Sequence, residues 1–141
     1  MTQRPGISLW GLILVIGVVA AGCGRSIDTT KLTELQRVKS GTLDVVLLSD
    51  RDALRHGIDT FIIEFRSTSD GKLVDVGNVR GSVNMPMPGT AMFGNVEANR
   101  TAVAGRYKAN GEFKMAGTWR MSIRWEGAAG QGSVMFAATV Q

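Results

Sequence analysis

The chain has 141 residues, of which 44% are hydrophobic and 20% charged, with a net charge of +4, one Cys and one His. This length provides for one domain, and the composition is not that of a collagen, a disulfide scaffold or an acidic disordered chain. A single His cannot build a multi-histidine metal site, and a Ser-His-Asp triad would have to use His56, so we do not expect an enzyme. The basic residues are spread singly along the chain, which argues against nucleic-acid binding.

The amino end has the pattern of an export signal. Arg4 precedes an uncharged apolar run over residues 7–21, which is shorter than the roughly 20 residues that span a bilayer and is typical of a signal peptide. The run ends in Ala20-Ala21-Gly22-Cys23, which resembles the lipobox of bacterial lipoproteins. The resemblance implies a signal peptide over 1–22 and a lipidated Cys23 on the extracytoplasmic face of the cell membrane or outer membrane. The alternative is an uncleaved signal anchor with an unmodified Cys.

The next segment, residues 24–41, is polar and shows no strand alternation. We interpret residues 23–41 as a lipidated tether that lifts the domain off the membrane. The alternative is one or two helical turns capped by Thr30 or Thr33, which would be marginal without packing. The folded domain is then predicted to span 42–141.

From Thr42 onward, apolar residues recur at every second position, which is typical of strands with one buried face. The clearest strand is 118–125, where Trp119, Met121, Ile123 and Trp125 alternate with polar residues. An Asp-Gly turn is predicted over 69–72, a glycine bulge at Gly111, and no strong helix after Gly41. About seven strands in 100 residues predict an all-β, immunoglobulin-like antiparallel β-sandwich, with an up-and-down barrel as the alternative. The predicted strands are 43–48, 58–66, 73–76, 79–85, 106–115, 118–125 and 132–140.

A methionine-rich segment is the strongest chemical signal. Met85, Met87 and Met92 fall within eight residues, and Pro86 and Pro88 hold the first two methionines extended, with their side chains on the same side. Thioethers are soft ligands that select Cu(I) over harder ions, so these three residues form a candidate metal site. The alternative is that Met85 continues the core face of the strand before it and that methionine fills space there.

Three motifs carry a resemblance to a known family. They are Val83-Asn84-Met85-Pro86-Met87-Pro88-Gly89, then Gly105-Arg106-Tyr107, then Met115-Ala116-Gly117-Thr118-Trp119. In this order and spacing they resemble the YtkA-like (FixH-like) domain over about residues 40–140. The resemblance implies an immunoglobulin-like sandwich outside the cytoplasm, found alone, in lipoproteins, or beside heavy-metal efflux and cytochrome oxidase assembly components. It favours copper handling, although Thr90-Ala91 stands where more Met or His often occurs in the family.

The remaining conspicuous residues are interpreted structurally. We expect His56 to be a loop histidine in water, Trp119 and Trp125 to pack in the core, and Tyr107 to be a corner tyrosine that bonds backbone. Asp50 and Asp52 are expected to lie in a solvated turn.

Two functions of different classes follow. The first is a membrane-tethered domain that binds or passes Cu(I) through Met85, Met87 and Met92, near an efflux or oxidase-assembly protein. The second is a non-catalytic interaction module of the cell envelope, with the Met-Pro segment, expected to be a loop, as an apolar contact surface.

Overall fold

The structure, a computed structural model, describes residues 29–141. All pairs of neighbouring strands are antiparallel and form one sheet in the order β1-β2-β3-β6-β5-β4-β7-β8. The strands at the two ends of this order, β1 and β8, contact each other, so the sheet curls into a sandwich- or barrel-like body. No helix in this part of the chain is long and apolar enough to cross a membrane. The strands are β1 (Thr33–Ser40), β2 (Leu43–Ser49), β3 (Gly57–Ser67), β4 (Asn78–Met87), β5 (Thr90–Arg100), β6 (Arg106–Phe113), β7 (Gly117–Gly127) and β8 (Gly130–Val140).

The predicted antiparallel all-β fold is confirmed, with eight strands where about seven were expected. The strand order is not sequential, because β3 pairs with β6 and β4 pairs with β7. The alternative of a simple up-and-down barrel is therefore wrong.

The core is built from the inward positions of the strands. In β7, Trp119, Met121 and Ile123 are fully buried and Trp125 nearly so, while Arg120 between them is exposed. The aromatic residues meet edge to face, with ring centroids 5.1 Å apart for Phe65 and Trp125 and 5.7 Å apart for Phe113 and Trp119. Such pairs stabilise the core beyond their buried area. The expectation that both tryptophans pack in the core is confirmed.

The polar segment before residue 42 is not only a tether. Residues 33–40 form β1, which pairs with β2. Thr33 lies opposite Ser49 at one end of this pairing, and Ser40 lies opposite Leu43 at the other. Neither the tether nor the helical turns apply to these residues, and the folded body begins before residue 42. The prediction failed because β1 has no fully buried position and carries charged residues such as Glu34 and Arg37, which is usual for a strand at the end of a sheet order.

A second strand, β5, escaped prediction, and one predicted strand does not form. In β5 the inward positions include Gly94 and Ala98, which are too small to give a hydrophobic alternation. Residues 73–76 make only an isolated bridge between Leu73 and Arg66 before the chain crosses to β4. The preceding Asp-Gly turn is confirmed, since Ser67 donates its backbone N–H to the Lys72 carbonyl at 2.8 Å.

Gly111 does not form the predicted bulge. It continues the regular pairing of β6, opposite Asp59 in β3 and Val96 in β5. A Cβ added there would lie 2.8 Å from the Phe113 ring and 3.0 Å from that of Phe61. Glycine is needed at this position to make room for two aromatic rings.

The Gly105-Arg106-Tyr107 motif fastens the segment between β3 and β4 to the body. Gly105 has φ +84°, and a Cβ there would lie 2.7 Å from the Val74 nitrogen. Arg106 donates from Nε to the Glu64 carboxylate at 2.8 Å. Tyr107 donates its hydroxyl to the Gly77 carbonyl at 2.8 Å, which confirms the backbone-bonding role expected of it. All three residues of the motif therefore have structural roles.

We expect Tyr107→Phe to lower the free energy of unfolding by about 1 kcal/mol, because the Gly77 carbonyl loses its donor. Burial, together with the Asp75 carboxylate 3.2 Å from the hydroxyl, raises the pKa of Tyr107. The folded state therefore holds the phenol proton more tightly than the unfolded state. The contribution of the protonated Tyr107 hydroxyl to the free energy of unfolding is present below about pH 10. It is lost as pH rises through the pKa of Tyr107 in the folded state. Urea unfolding at neutral and alkaline pH tests this, and equal stabilities for wild type and variant would contradict it.

Candidate soft-metal site

The methionine segment is a β-hairpin and not the loop that its prolines suggested. Met85 pairs with Met92 and Met87 with Thr90, and Gly89 takes φ +77° in the turn. Pro86 lies within β4, although proline has no N–H to donate to a neighbouring strand. It is tolerated because the pairing of β4 with β7 extends only as far as Asn84.

The hairpin brings the three predicted ligands onto one face. Met85 and Met92 are direct cross-strand partners, so their side chains lie on the same side of the sheet. Met87 follows Met85 by two residues and returns to that side. Met85 is 9% exposed and belongs to the core, whereas Met87 and Met92 are half-buried and pack against it. Met85 thus extends the core face, while Met87 and Met92 are the more accessible thioethers.

The start of β7 closes over the end of Met85. A Cβ added to Gly117 would lie 2.3 Å from the Met85 methyl carbon and 3.8 Å from its sulfur. Gly117 has φ +138°, so the backbone itself also favours glycine. The absence of a side chain at this position makes room for the Met85 thioether.

Met115 lies two residues before Gly117 and was not predicted as part of the site. Its side chain is 39% exposed, and its carbonyl accepts a hydrogen bond from Trp119 Nε1 at 2.9 Å. The Met-Ala-Gly-x-Trp motif was the signal that could have found it, because the glycine in this motif packs against Met85. Met115 is therefore two residues along the chain from the glycine that lies against Met85.

The hairpin itself carries no charged side chain. Residues 84–95 contain no ionisable side chain. Among residues 29–141, no group of three or more His, Cys, Asp or Glu is placed to hold a metal ion. The thioether sulfurs are the soft ligands of the hairpin, and they suit a soft monovalent ion.

The other candidate residues are not part of the methionine hairpin. His56 is exposed, as expected of a loop histidine, and its backbone N–H donates to the Gln141 carbonyl at 3.0 Å. Asp52 is exposed, and Asp50 forms a 3.0 Å ion pair with Arg51, which agrees with a solvated turn. Cys23 and the predicted signal peptide lie outside the described residues.

Comparison with protein families shows a match to the YtkA-like family over residues 37–124. The match covers β2, β3, β4, β5 and β6, together with half of β1 and most of β7, and includes the methionine hairpin. Comparisons with curated proteins and with solved structures gave no match.

Proposed function

The chain belongs to the YtkA-like family, and from this membership and the hairpin geometry we propose that it is a lipid-anchored extracytoplasmic domain that binds Cu(I) and passes it on. The single observation that carries the proposal is the placement of Met85, Met87 and Met92 on one face of the hairpin. The domain acts without catalysis, beside an envelope metal-efflux or oxidase-assembly protein that receives or supplies the ion.

The ligand chemistry supports a site of modest affinity. Neutral thioethers bind Cu(I) without losing a proton, and Cu(II) prefers nitrogen and oxygen ligands. Met87 and Met92 can reach an ion from solvent, whereas Met85 must turn out of the core to join them. A site that gives its ion to a partner needs such accessible ligands.

We expect Met87→Leu/Met92→Leu to weaken Cu(I) binding at least tenfold, because leucine keeps the volume and removes the sulfur. The measurement is titration of residues 24–141 with Cu(I) against a competing chelator, repeated with Ag(I). Met135→Leu is the matched control, since Met135 is exposed on the opposite surface of the sheet. If the double variant binds as tightly as wild type, the hairpin is not a metal site.

We expect Cys23→Ser to abolish lipidation and release the protein from the membrane fraction. Acyl chains on Cys23 provide the anchor in this proposal, and more than one chain is needed for stable attachment. Mass spectrometry of the mature chain and membrane fractionation measure the effect. An unmodified Cys23 in the wild-type protein would contradict the proposed anchor.

A second function is favoured by one further observation. Phe93, next to Met92, is 65% exposed on the outer surface of the hairpin, and Pro86 beside it is also exposed. These residues suit a non-catalytic contact with another envelope protein. This function replaces copper binding if the titration finds no contribution from Met87 and Met92.

A further inference from the structure

Three arginines that form no ion pair lie on the outer surface of β4 and β7. Arg80 is the direct cross-strand partner of Arg124, and Arg120 lies on the same side of β7, four residues earlier. All three are exposed, and none takes part in an ion pair with any residue of the described chain. Like charges directly opposite each other destabilise a sheet, and no ion pair within the described residues offsets this cost for Arg80 and Arg124.

Arginines elsewhere in the sheet form ion pairs. On β1, Arg37 pairs with Glu34 at 2.7 Å. On β3 and β6, Arg66 and Arg106 both pair with Glu64. The lack of partners is thus a property of the β4–β7 surface and not of arginines in this sheet generally.

Large exposed apolar side chains flank the three arginines. Phe93 on β5 is 65% exposed and lies opposite Asn84, and Met135 on β8 is 58% exposed and lies opposite Ser122. The position opposite Ser122 on β4 is Ser82, so small side chains occupy the middle of the surface. We call Arg80, Arg120, Arg124, Phe93 and Met135 together the arginine face.

Two carboxylates share this surface with the three arginines, which leaves an excess of one positive charge. Glu126 lies opposite Asn78, and Glu97 lies opposite Asn110. Neither forms an ion pair with the three arginines. The face therefore presents a positive centre with apolar side chains on both flanks.

The chain enters the domain beside the arginine face. Leu35 of β1 lines the same cleft as Ala137 of β8, and Ala137 is the cross-strand partner of Arg120. Cys23 lies only ten positions before Thr33, which is at most about 36 Å of extended chain. An anchor at Cys23 would hold this face within reach of the lipid headgroups.

We propose that the arginine face lies on the anionic phospholipid bilayer to which the chain is anchored. Arginines near an anionic membrane are attracted by its surface potential, and apolar side chains beside them insert at the headgroup boundary. The position of the chain entry favours the bilayer over an acidic protein as the occupant. The inference rests on the proposed anchor for delivery to the membrane and for the choice of the bilayer as occupant, whereas the arginine face itself lies within the described residues.

The test uses residues 24–141, since all eight strands and the core lie within 33–140. Binding is measured by co-sedimentation with phosphatidylcholine vesicles that contain or lack phosphatidylglycerol. The variant is Arg80→Gln/Arg120→Gln/Arg124→Gln. The matched control is Arg55→Gln/Lys72→Gln/Lys114→Gln, which removes the same charge from exposed residues outside the face. Thermal unfolding verifies that both variants fold.

We expect the wild-type chain and the control to bind the anionic vesicles, and the face variant to bind at least tenfold more weakly. The basis is that each arginine near such a surface contributes about fivefold to binding. Binding of wild type should fall as salt rises. Equal losses in the face variant and the control, or no preference of wild type for anionic vesicles, would overturn the proposal. This assay involves neither Cys23 lipidation nor Cu(I), so its result is independent of the proposed function.

Discussion

Ile123→Asp is expected to unfold the domain. Ile123 is fully buried in β7, between Gly81 of β4 and Val134 of β8. A Cβ added to Gly81 would lie 2.8 Å from the Ile123 Cδ1 atom, so the space around this side chain is already filled. A buried carboxylate without a partner costs several kcal/mol, which is comparable with the total of about 5–15 kcal/mol that keeps a domain folded.

The matched control for this prediction is Ser122→Asp. Ser122 is the preceding residue of β7 and its side chain lies on the outer, half-exposed surface. The same new carboxylate is hydrated there, so we expect a change in the free energy of unfolding within about 1 kcal/mol. Far-ultraviolet circular dichroism and urea unfolding measure both variants. A folded Ile123→Asp variant of wild-type stability would contradict the described core.

The second large effect is expected at Glu64, a fully buried carboxylate on the outer side of β3. Arg66 donates from Nε to Oε2 at 2.8 Å, and Arg106 donates from Nε to Oε1 at 2.8 Å. Each arginine also contacts Glu64 through its Nη2 atom. The two arginines thus provide most of the compensation for burying this charge.

We expect Arg66→Met/Arg106→Met to lower the free energy of unfolding by about 3–5 kcal/mol, because the Glu64 carboxylate stays buried without its partners. Adding Glu64→Leu to this double variant should recover most of the loss, since a buried ion cluster can be replaced by apolar residues of similar volume. Urea unfolding of the double and triple variants decides this. A triple variant no more stable than the double one would show that the loss came from packing and not from the stranded charge.

Much of the fold was predictable from alternation, and the failures have physical causes. The β7 pattern is clear because every inward residue from Trp119 to Trp125 is large and apolar. In β5 the inward Gly94 is required by a neighbouring strand, since a Cβ there would lie 2.3 Å from the Glu112 carbonyl oxygen. Because this close approach requires glycine, β5 lacks an apolar side chain at this inward position. Its sequence therefore does not show the alternation that predicts a strand. Edge strand β1 gave no signal because it buries no residue fully.

The ion cluster around Glu64 could not be predicted from local sequence. Glu64 and Arg106 are 42 residues apart, and only the pairing of β3 with β6 brings them together. A charged residue inside the apolar run of β3 was the available signal. The candidate metal site was more accessible to prediction, because Met85, Met87 and Met92 are close in sequence and a hairpin preserves that closeness.

The most direct test of the copper proposal is nuclear magnetic resonance of the methionine methyl groups in residues 24–141 during Ag(I) or Cu(I) titration. Residues 24–141 contain six methionines, and three of them are the proposed ligands. We predict that the methyl signals of Met87 and Met92 shift first and that of Met85 shifts with them. Met135, on the opposite surface, should stay unchanged. Unshifted Met87 and Met92 signals, or an equal shift of Met135, would contradict a site at the hairpin.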